Sequence, residues 1–128
     1  MNQLALSDKK LPHEVIEIAL LDPTRKYRSI EKELEHRTSV YHQYVIESPE
    51  RDSLKKFLNS RGIGTGLYYP QPLHQHEAWK ARNLPAYSLP EAERYSRENL
   101  AIPVFAELED EEVAYIISTV REYFASRS

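Results

Sequence analysis

Apolar residues recur along the chain with two spacings, one typical of helices and the other typical of strands. The helical spacing, together with caps and prolines, predicts helices at 22–36, 49–61, 88–99 and from 109 onwards. Alternating positions and short apolar runs predict a strand or extended arm at 13–21 and strands at 38–47, 63–69 and 100–104. This order predicts an α+β fold, with a small, mostly antiparallel sheet of three or four strands covered by helices. Residues 1–12 show no period and are expected to be a flexible lead-in to a single domain over 13–128.

Capping residues place the ends of two of these helices. Ser48 and Pro49 suit the cap and the first position of the second predicted helix, and Gly62 follows it where a left-handed C-terminal cap belongs. Ser88 and Glu91 have the spacing of a capping box at the start of the third predicted helix.

The predicted strand at 63–69 carries glycine on one face, at Gly64 and Gly66. The GIGTG segment that contains them invites comparison with a phosphate-binding loop, which needs a helix N-terminus after its glycines. Here the glycines run into a strand and Pro70 instead. We therefore interpret the segment as a helix cap followed by a strand face that another backbone or a ligand can approach closely. The connection over 70–88, with a short helix near 76–81, is long enough for a functional or interface loop.

Composition narrows the classes of function. Hydrophobic residues make up 41% and charged residues 29% of the chain, which is too apolar for a disordered protein. A net charge of −3 lacks the basic excess of a general nucleic-acid binder, so we expect no nucleic acid partner. The absence of cysteine excludes disulfides, thiolate nucleophiles and cysteine-based zinc sites. No apolar run approaches the ~20 residues that span a bilayer, so a cytoplasmic protein without a membrane partner is expected. The nine tyrosines predict a wet cleft or an interface.

The sequence contains few residues whose pattern indicates a metal site or a catalytic site. His74, His76 and Glu77 lie close enough in sequence to bind a metal if a further ligand came from elsewhere. Because no cysteine is present, we favour a solvated or substrate-facing histidine and expect no metal site. The acidic residues at 107–112 are explained by the positive end of the last helix dipole rather than by a cation site. No serine or aspartate lies in a nucleophile elbow, so a hydrolase is not indicated.

Two long segments resemble a known family, the DegT/StrS-type nucleotide-sugar aminotransferases. They read VYHQYVIESPERDSLKKFLNSRGIGTGLYYPQPLH and LPEAERYSRENLAIPVFAELEDEEVAYIISTVREYF, and they cover Val40 to about Phe124. The resemblance is to the C-terminal small domain of these enzymes. A shorter segment, LLDPTRKYRSIEKEL, is similar to the amino-terminal arm and first helix of the same family.

The resemblance implies that the large domain, which binds pyridoxal phosphate in the family, is missing between these segments, near residues 35–38. It also implies a small domain like that of fold-type I aminotransferases. The family's Schiff-base lysine follows a serine by five positions, and no lysine of this chain does: they are Lys9, Lys10, Lys26, Lys32, Lys55, Lys56 and Lys80. We therefore expect no catalytic residue and no cofactor in this chain, and no transamination by the chain alone.

The part of the family's site that falls in the small domain is the aromatic-Tyr-Pro segment near the bound nucleotide sugar. By resemblance, Tyr68, Tyr69, Pro70 and His74 are the candidate substrate-binding residues. Relatives usually carry histidine where this chain has Tyr68, so a phenol replaces an imidazole there.

Three functions follow as hypotheses. The first is a stand-alone, non-catalytic binding or interaction module, in which the surface around Tyr68 and Tyr69 is covered by a second copy or by a protein partner. The second is a subunit that completes a pyridoxal-phosphate-dependent sugar aminotransferase whose large domain is on another polypeptide. The third is a nucleotide-sugar binder without turnover.

Overall fold

A computed structural model describes residues 28–29, 35–37 and 40–127 of the chain. Its strands are β1 (Arg28–Ser29), β2 (Tyr44–Glu47) and β3 (Asn99–Ile102). Its α-helices are α1 (Arg51–Ser60), α2 (Glu77–Lys80), α3 (Pro90–Glu98) and α4 (Asp110–Ala125), and a 3₁₀ turn covers Leu73–Gln75. This mixture of helices with antiparallel strands confirms the predicted class.

The sheet is built on the antiparallel pair β2 and β3, in which Tyr44 lies opposite Ile102 and Glu47 opposite Asn99. The two residues of β1 pair antiparallel with the other side of β2. Both four-residue strands are buried along their whole length, so the pair forms the centre of the fold. The strand that opens with Asn99 follows α3 without a loop, which places the C-terminal end of that helix at the sheet.

Helices α1 and α4 pack beside this pair and supply the predicted apolar stripes. Leu54 and Leu58 of α1 are fully buried, as is Val120 of α4. The buried core also contains Tyr41, Tyr44, Ile46, Ile63, Leu100, Ile102, Leu108, Val113, Ile116, Ile117 and Tyr123. Removing this apolar surface from water is the main stabilising contribution to the fold.

The predicted secondary structure needs correction at three places. Arg28–Ser29 is strand, whereas the helical spacing predicted a helix at 22–36. The strand predicted over 38–47 begins only at Tyr44, because Tyr41 has a φ of 45°, which breaks an extended backbone. The strand predicted over 63–69 is reduced to a single bridge between Gly66 and Ala101, since glycine supplies no side chain to bury. The predicted lead-in at 1–12, the strand at 13–21 and most of the first helix lie outside the described residues.

The caps are partly as predicted. The cap at Ser48 with Pro49 at the first helical position is wrong, because α1 begins at Arg51 with Glu50 at its cap position. Gly62 has a φ of 78° and ends α1 in the left-handed conformation, which confirms its role. The capping box of Ser88 and Glu91 is wrong: α3 begins at Pro90, and Glu93 Oε1 accepts the hydrogen bond from the Leu89 N–H at 3.1 Å. Proline is pre-organised for the first helical position, which fixes the start of this helix.

Candidate functional site

A long open groove lies between the segment at 68–79 and helix α3. Its volume is about 870 Å³. The residues that line it are mostly aromatic, aliphatic or proline: Tyr68, Tyr69, Pro70, Gln71, Pro72, Leu73, His74, His76, Trp79, Tyr87, Leu89, Ala92, Tyr95 and Ser96. All four predicted site residues are among them, so the structure brings Tyr68, Tyr69, Pro70 and His74 together. Their role in binding stays a prediction.

The ring of Tyr68, which lines the groove, lies close to Gly66. A Cβ atom added at Gly66 would lie 3.0 Å from Cε2 and 3.1 Å from the hydroxyl oxygen of Tyr68. The predicted close approach at the glycine face is therefore made by the Tyr68 ring. Nothing lies within 4 Å of the corresponding position at Gly64. Only Gly66 is needed for this contact.

The backbone of the aromatic pair is held by the side chain of Asn99. The peptide bond between Tyr68 and Tyr69 is cis, and the two rings meet edge-on with centroids 5.8 Å apart. Asn99 Oδ1 accepts a hydrogen bond from the Tyr68 N–H at 2.7 Å, and Asn99 Nδ2 donates to the Tyr69 carbonyl at 3.1 Å. The buried side-chain amide of Asn99 thus links the backbone of Tyr68 and Tyr69 to the start of β3 by hydrogen bonds.

The 3₁₀ turn is fastened to helix α3 through His74. Its Nε2 lies 2.9 Å from Glu93 Oε1, and its side chain is only 6% exposed. The hydrogen bond with His74, followed by that from the Leu89 N–H, lowers the pKa of Glu93 below its usual value. His74 therefore has a defined structural partner, in addition to its place in the groove wall.

The segment at 71–87, which carries Trp79 and Tyr87, is held together by contacts among its own residues. Trp79 Nε1 donates to the Pro85 carbonyl at 3.0 Å, and the Trp79 and Tyr87 rings meet edge-on at 6.0 Å. His76 Nε2 lies 3.1 Å from the Gln71 carbonyl oxygen. The short helix predicted near 76–81 is confirmed as α2, which carries Trp79. The loop is thus organised around its aromatic residues.

Sequence reasoning missed three residues that build this site: Glu93, Asn99 and Trp79. Each acts through a partner far from it in sequence or across a loop, so no spacing signals it. The one sequence signal is that Asn99 is a polar residue at the start of a short apolar run.

Metal ligands are not assembled here. The part of the chain that the structure describes contains no group of three or more His, Asp or Glu side chains that could bind a metal ion. Within that same part, none of the helices is both long and apolar enough to cross a membrane.

Comparison with models of known protein families shows to which family this chain is related. The model of the DegT/DnrJ/EryC1/StrS aminotransferase family matches residues 6–121. The chain belongs to this family. The resemblance identified in the two motif-bearing segments is therefore confirmed.

Members of the DegT/DnrJ/EryC1/StrS family are similar to this chain over a limited part of their length. The pleiotropic regulatory protein of Geobacillus stearothermophilus is 40% identical over 93 residues, which are 73% of this chain and 25% of that protein. The dTDP-3-amino-3,4,6-trideoxy-alpha-D-glucose transaminase of Streptomyces venezuelae is 36% identical over 84 residues, which are 66% of this chain and 22% of that protein. The chain therefore spans about a quarter of the length of these curated relatives.

A solved aminotransferase structure has the same fold over part of its length. The aminotransferase TlmJ from Streptoalloteichus hindustanus superposes with a TM-score of 0.80 at 28% identity. The match covers 91% of this chain and 31% of TlmJ. The matched part of this chain thus corresponds to about a third of TlmJ.

The cofactor of the family's aminotransferases, pyridoxal phosphate, does not fit the residues that line the groove. It needs a lysine for its Schiff base and a cup of donors for its phosphate. No lysine or arginine is among the described residues that line the groove. Lys80, the lysine nearest in sequence to the groove-forming turn, is exposed and pairs with Glu77 at 2.8 Å. The groove lining therefore supplies neither a lysine for the Schiff base nor a cationic side chain for the phosphate.

Proposed function

We propose that this chain is a non-catalytic protein-binding module with the small-domain fold of the sugar aminotransferase family. Its binding surface is the aromatic groove, and in a solution of the chain alone the occupant is a second copy. The single observation that carries the proposal is the groove itself, a cavity of about 870 Å³ whose lining is almost entirely apolar.

The exposure of the groove's rim supports a protein occupant. Tyr69 is 69% exposed, Leu73 80% and Tyr87 52%. Large apolar side chains grouped on one face are costly in water and are typical of interaction sites. Tyrosine is also enriched where proteins contact each other, because its ring is apolar and its hydroxyl group can stay hydrated.

The charge of the groove argues against a nucleotide sugar as the main ligand. A diphosphate is normally bound by arginine, lysine or a helix N-terminus. The N-terminal end of α3 lines the groove at Leu89, but the Glu93 carboxylate already accepts the Leu89 N–H. None of the described lining residues is a lysine or arginine, and the titratable ones are tyrosines and histidines. A protein surface, which needs no cation, fits this lining better. Calorimetry with a panel of nucleotide sugars tests the alternative, and a saturable heat would favour it.

The experiment is sedimentation of the chain over a wide range of concentration. We expect a reversible dimer in the wild type and a weaker one in the double variant Tyr69→Ser with Leu73→Ser. Phe105→Ser is the matched control, because Phe105 is 51% exposed and does not line the groove. A wild-type chain that stays monomeric at the highest concentration contradicts the proposal. So does a dimer that Phe105→Ser weakens as much as the groove variant.

A second candidate function rests on the match to TlmJ. Because the chain corresponds to 31% of that aminotransferase, it could complete a sugar aminotransferase whose remaining part is on another polypeptide. The test is to mix the chain with such a polypeptide and pyridoxal phosphate. A change in the absorbance of the cofactor that requires both polypeptides supports this function. A spectrum equal to the sum of the separate components removes it.

A further inference from the structure

Asn99 is a polar residue in an apolar place. Its side chain is completely buried at the junction of α3 and β3. Burial of an amide is unfavourable unless its donors and acceptor are all hydrogen-bonded. Asn99 meets this requirement through groups of two different segments, the groove backbone and the end of helix α3.

The amide faces a fixed pattern of partners. On one side, Oδ1 accepts from the Tyr68 N–H at 2.7 Å. On the other side, Nδ2 faces carbonyl oxygens only, of Tyr69 at 3.1 Å, of Tyr95 at 2.9 Å and of Ser96 at 3.4 Å. One acceptor beside two donors is the pattern of a primary amide. An aspartate would turn a second acceptor towards the carbonyls, and a leucine would leave the Tyr68 N–H without this partner.

The backbone of Asn99 is also held by Arg51. The buried Arg51 side chain donates from Nη1 to the carbonyl oxygens of Ser96 and Asn99, both at 3.1 Å. A cation at the C-terminal end of α3 is favourable, since the last carbonyls of a helix carry partial negative charge. The position of Asn99 is thus set by the core, and the position of Tyr68 and Tyr69 is set by Asn99.

We infer that Asn99 is the positioning residue of the aromatic groove, an inference that rests on the proposed function of that groove. Asn99 does not touch the occupant. It holds the backbone of Tyr68 and Tyr69 in the arrangement that presents their rings, and it joins this backbone to the end of α3, the other wall.

The test compares three variants. Asn99→Leu removes all the amide's hydrogen bonds, whereas Asn99→Asp keeps an acceptor for the Tyr68 N–H and loses the donors. Thr119→Val is the matched control, because Thr119 is 2% exposed and its hydroxyl donates only within α4, to the Tyr115 carbonyl at 2.6 Å. The readouts are the dimer dissociation constant from sedimentation and hydrogen exchange of the Tyr68 amide. Exchange is measured at a concentration at which the wild type is monomeric, so that the second readout does not depend on dimer formation.

We expect Asn99→Leu to weaken the dimer by about tenfold or more and to speed exchange of the Tyr68 amide by a similar factor. Thr119→Val is expected to change neither by more than about twofold. If Asn99→Leu does not fold, Asn99→Asp decides: a weaker dimer with a protected Tyr68 amide supports the inference, and an unchanged dimer overturns it.

The two readouts separate this inference from the proposed function. A dimer that Asn99→Leu leaves unchanged overturns the positioning role while the proposed function stands. A wild-type chain without a dimer contradicts the proposed function, and Tyr68 exchange then tests Asn99 alone. Equal protection of that amide in the wild type and Asn99→Leu overturns the inference in that case.

Discussion

His74 and Glu93 are 19 residues apart in sequence, yet His74 Nε2 lies 2.9 Å from Glu93 Oε1. This contact joins the 3₁₀ turn to helix α3, which are the two walls of the aromatic groove. The same carboxylate oxygen accepts the N–H of Leu89 at the start of α3. One acidic side chain thus contacts both the start of the helix and the 3₁₀ turn.

Stability is expected to fall in acid because of Glu93. Its pKa in the folded chain is lowered from 4.5, first by the hydrogen bond with His74 and then by that with the Leu89 N–H. A lowered folded-state pKa stabilises the protein above the unfolded value, and this contribution is lost as the pH falls through the folded value. Urea unfolding from pH 6 down to pH 3 should therefore show a smaller decline for Glu93→Gln than for the wild type.

Glu77→Gln is the control for this pH dependence. The pKa of Glu77 is also lowered, by its hydrogen bond and charge interaction with Lys80, but the pair is exposed to solvent. Exposed pairs contribute little to stability. The decline of stability in acid should therefore persist in Glu77→Gln. An equal loss of pH dependence in both variants would count against the role of Glu93.

Substitution of Gly66 by alanine should disturb the groove. The added Cβ would lie 3.0 Å from the Tyr68 ring, so the ring has to move. Because the contacting atoms are the far end of the Tyr68 side chain in an open groove, a shift of a few tenths of an ångström relieves the contact, and only a small loss of stability is expected. Near-UV circular dichroism should report the changed environment of the tyrosines. Gly64→Ala, which meets no atom within 4 Å, is expected to be close to neutral. If both variants have the wild-type spectrum, the Tyr68 ring does not depend on Gly66.

Gly62→Ala tests the end of helix α1. Gly62 has a φ of 78°, which an alanine adopts only with strain. A loss of about 1–2 kcal/mol in the free energy of unfolding is expected. Gly64→Ala again serves as the comparison, since its backbone is not in the left-handed region. Chemical denaturation measures both, and equal stability of the two variants would refute the strained cap.

Replacement of Arg51 by methionine should be far more costly than replacement of Arg61. Arg51 Nη1 donates to two buried carbonyls, at Ser96 and Asn99, which would be left without this donor. We expect a loss of about 2–3 kcal/mol. Arg61 pairs with Glu122 on the surface, where both side chains are exposed, so Arg61→Met should cost less than about 1 kcal/mol. Urea unfolding of the two variants gives the comparison, and equal costs would show that the Arg51 contacts contribute no more than a surface pair.

Local signals in the sequence predicted the elements whose formation is local. The apolar stripes of α1 and α4 and the left-handed cap at Gly62 follow from spacing and backbone sterics, and the structure confirms them. The strand at 63–69 was wrong because its glycines leave too little to bury, so a single bridge at Gly66 replaces a ladder.

The candidate site was predicted only in part. The motif placed Tyr68, Tyr69, Pro70 and His74 correctly on one surface, since they are close in sequence. The opposite wall comes from α3, and nothing in the local pattern signals that Glu93 faces His74. Long-range hydrogen bonds depend on how elements pack, which periodicity does not encode.

The bridge at Gly66 also bears on how the chain avoids aggregation. Its N–H and carbonyl bind the carbonyl and N–H of Ala101, at 3.0 and 2.8 Å, on the side of β3 that faces away from β2. An uncovered strand edge is a template for pairing with another molecule. Ala101 has no such backbone groups left to offer, and the Asn99 carbonyl is bound to Arg51. Among the described residues, the outward backbone groups of β3 at Ala101 and the Asn99 carbonyl are thus already hydrogen-bonded, so this edge is a poor template for a strand of a second copy.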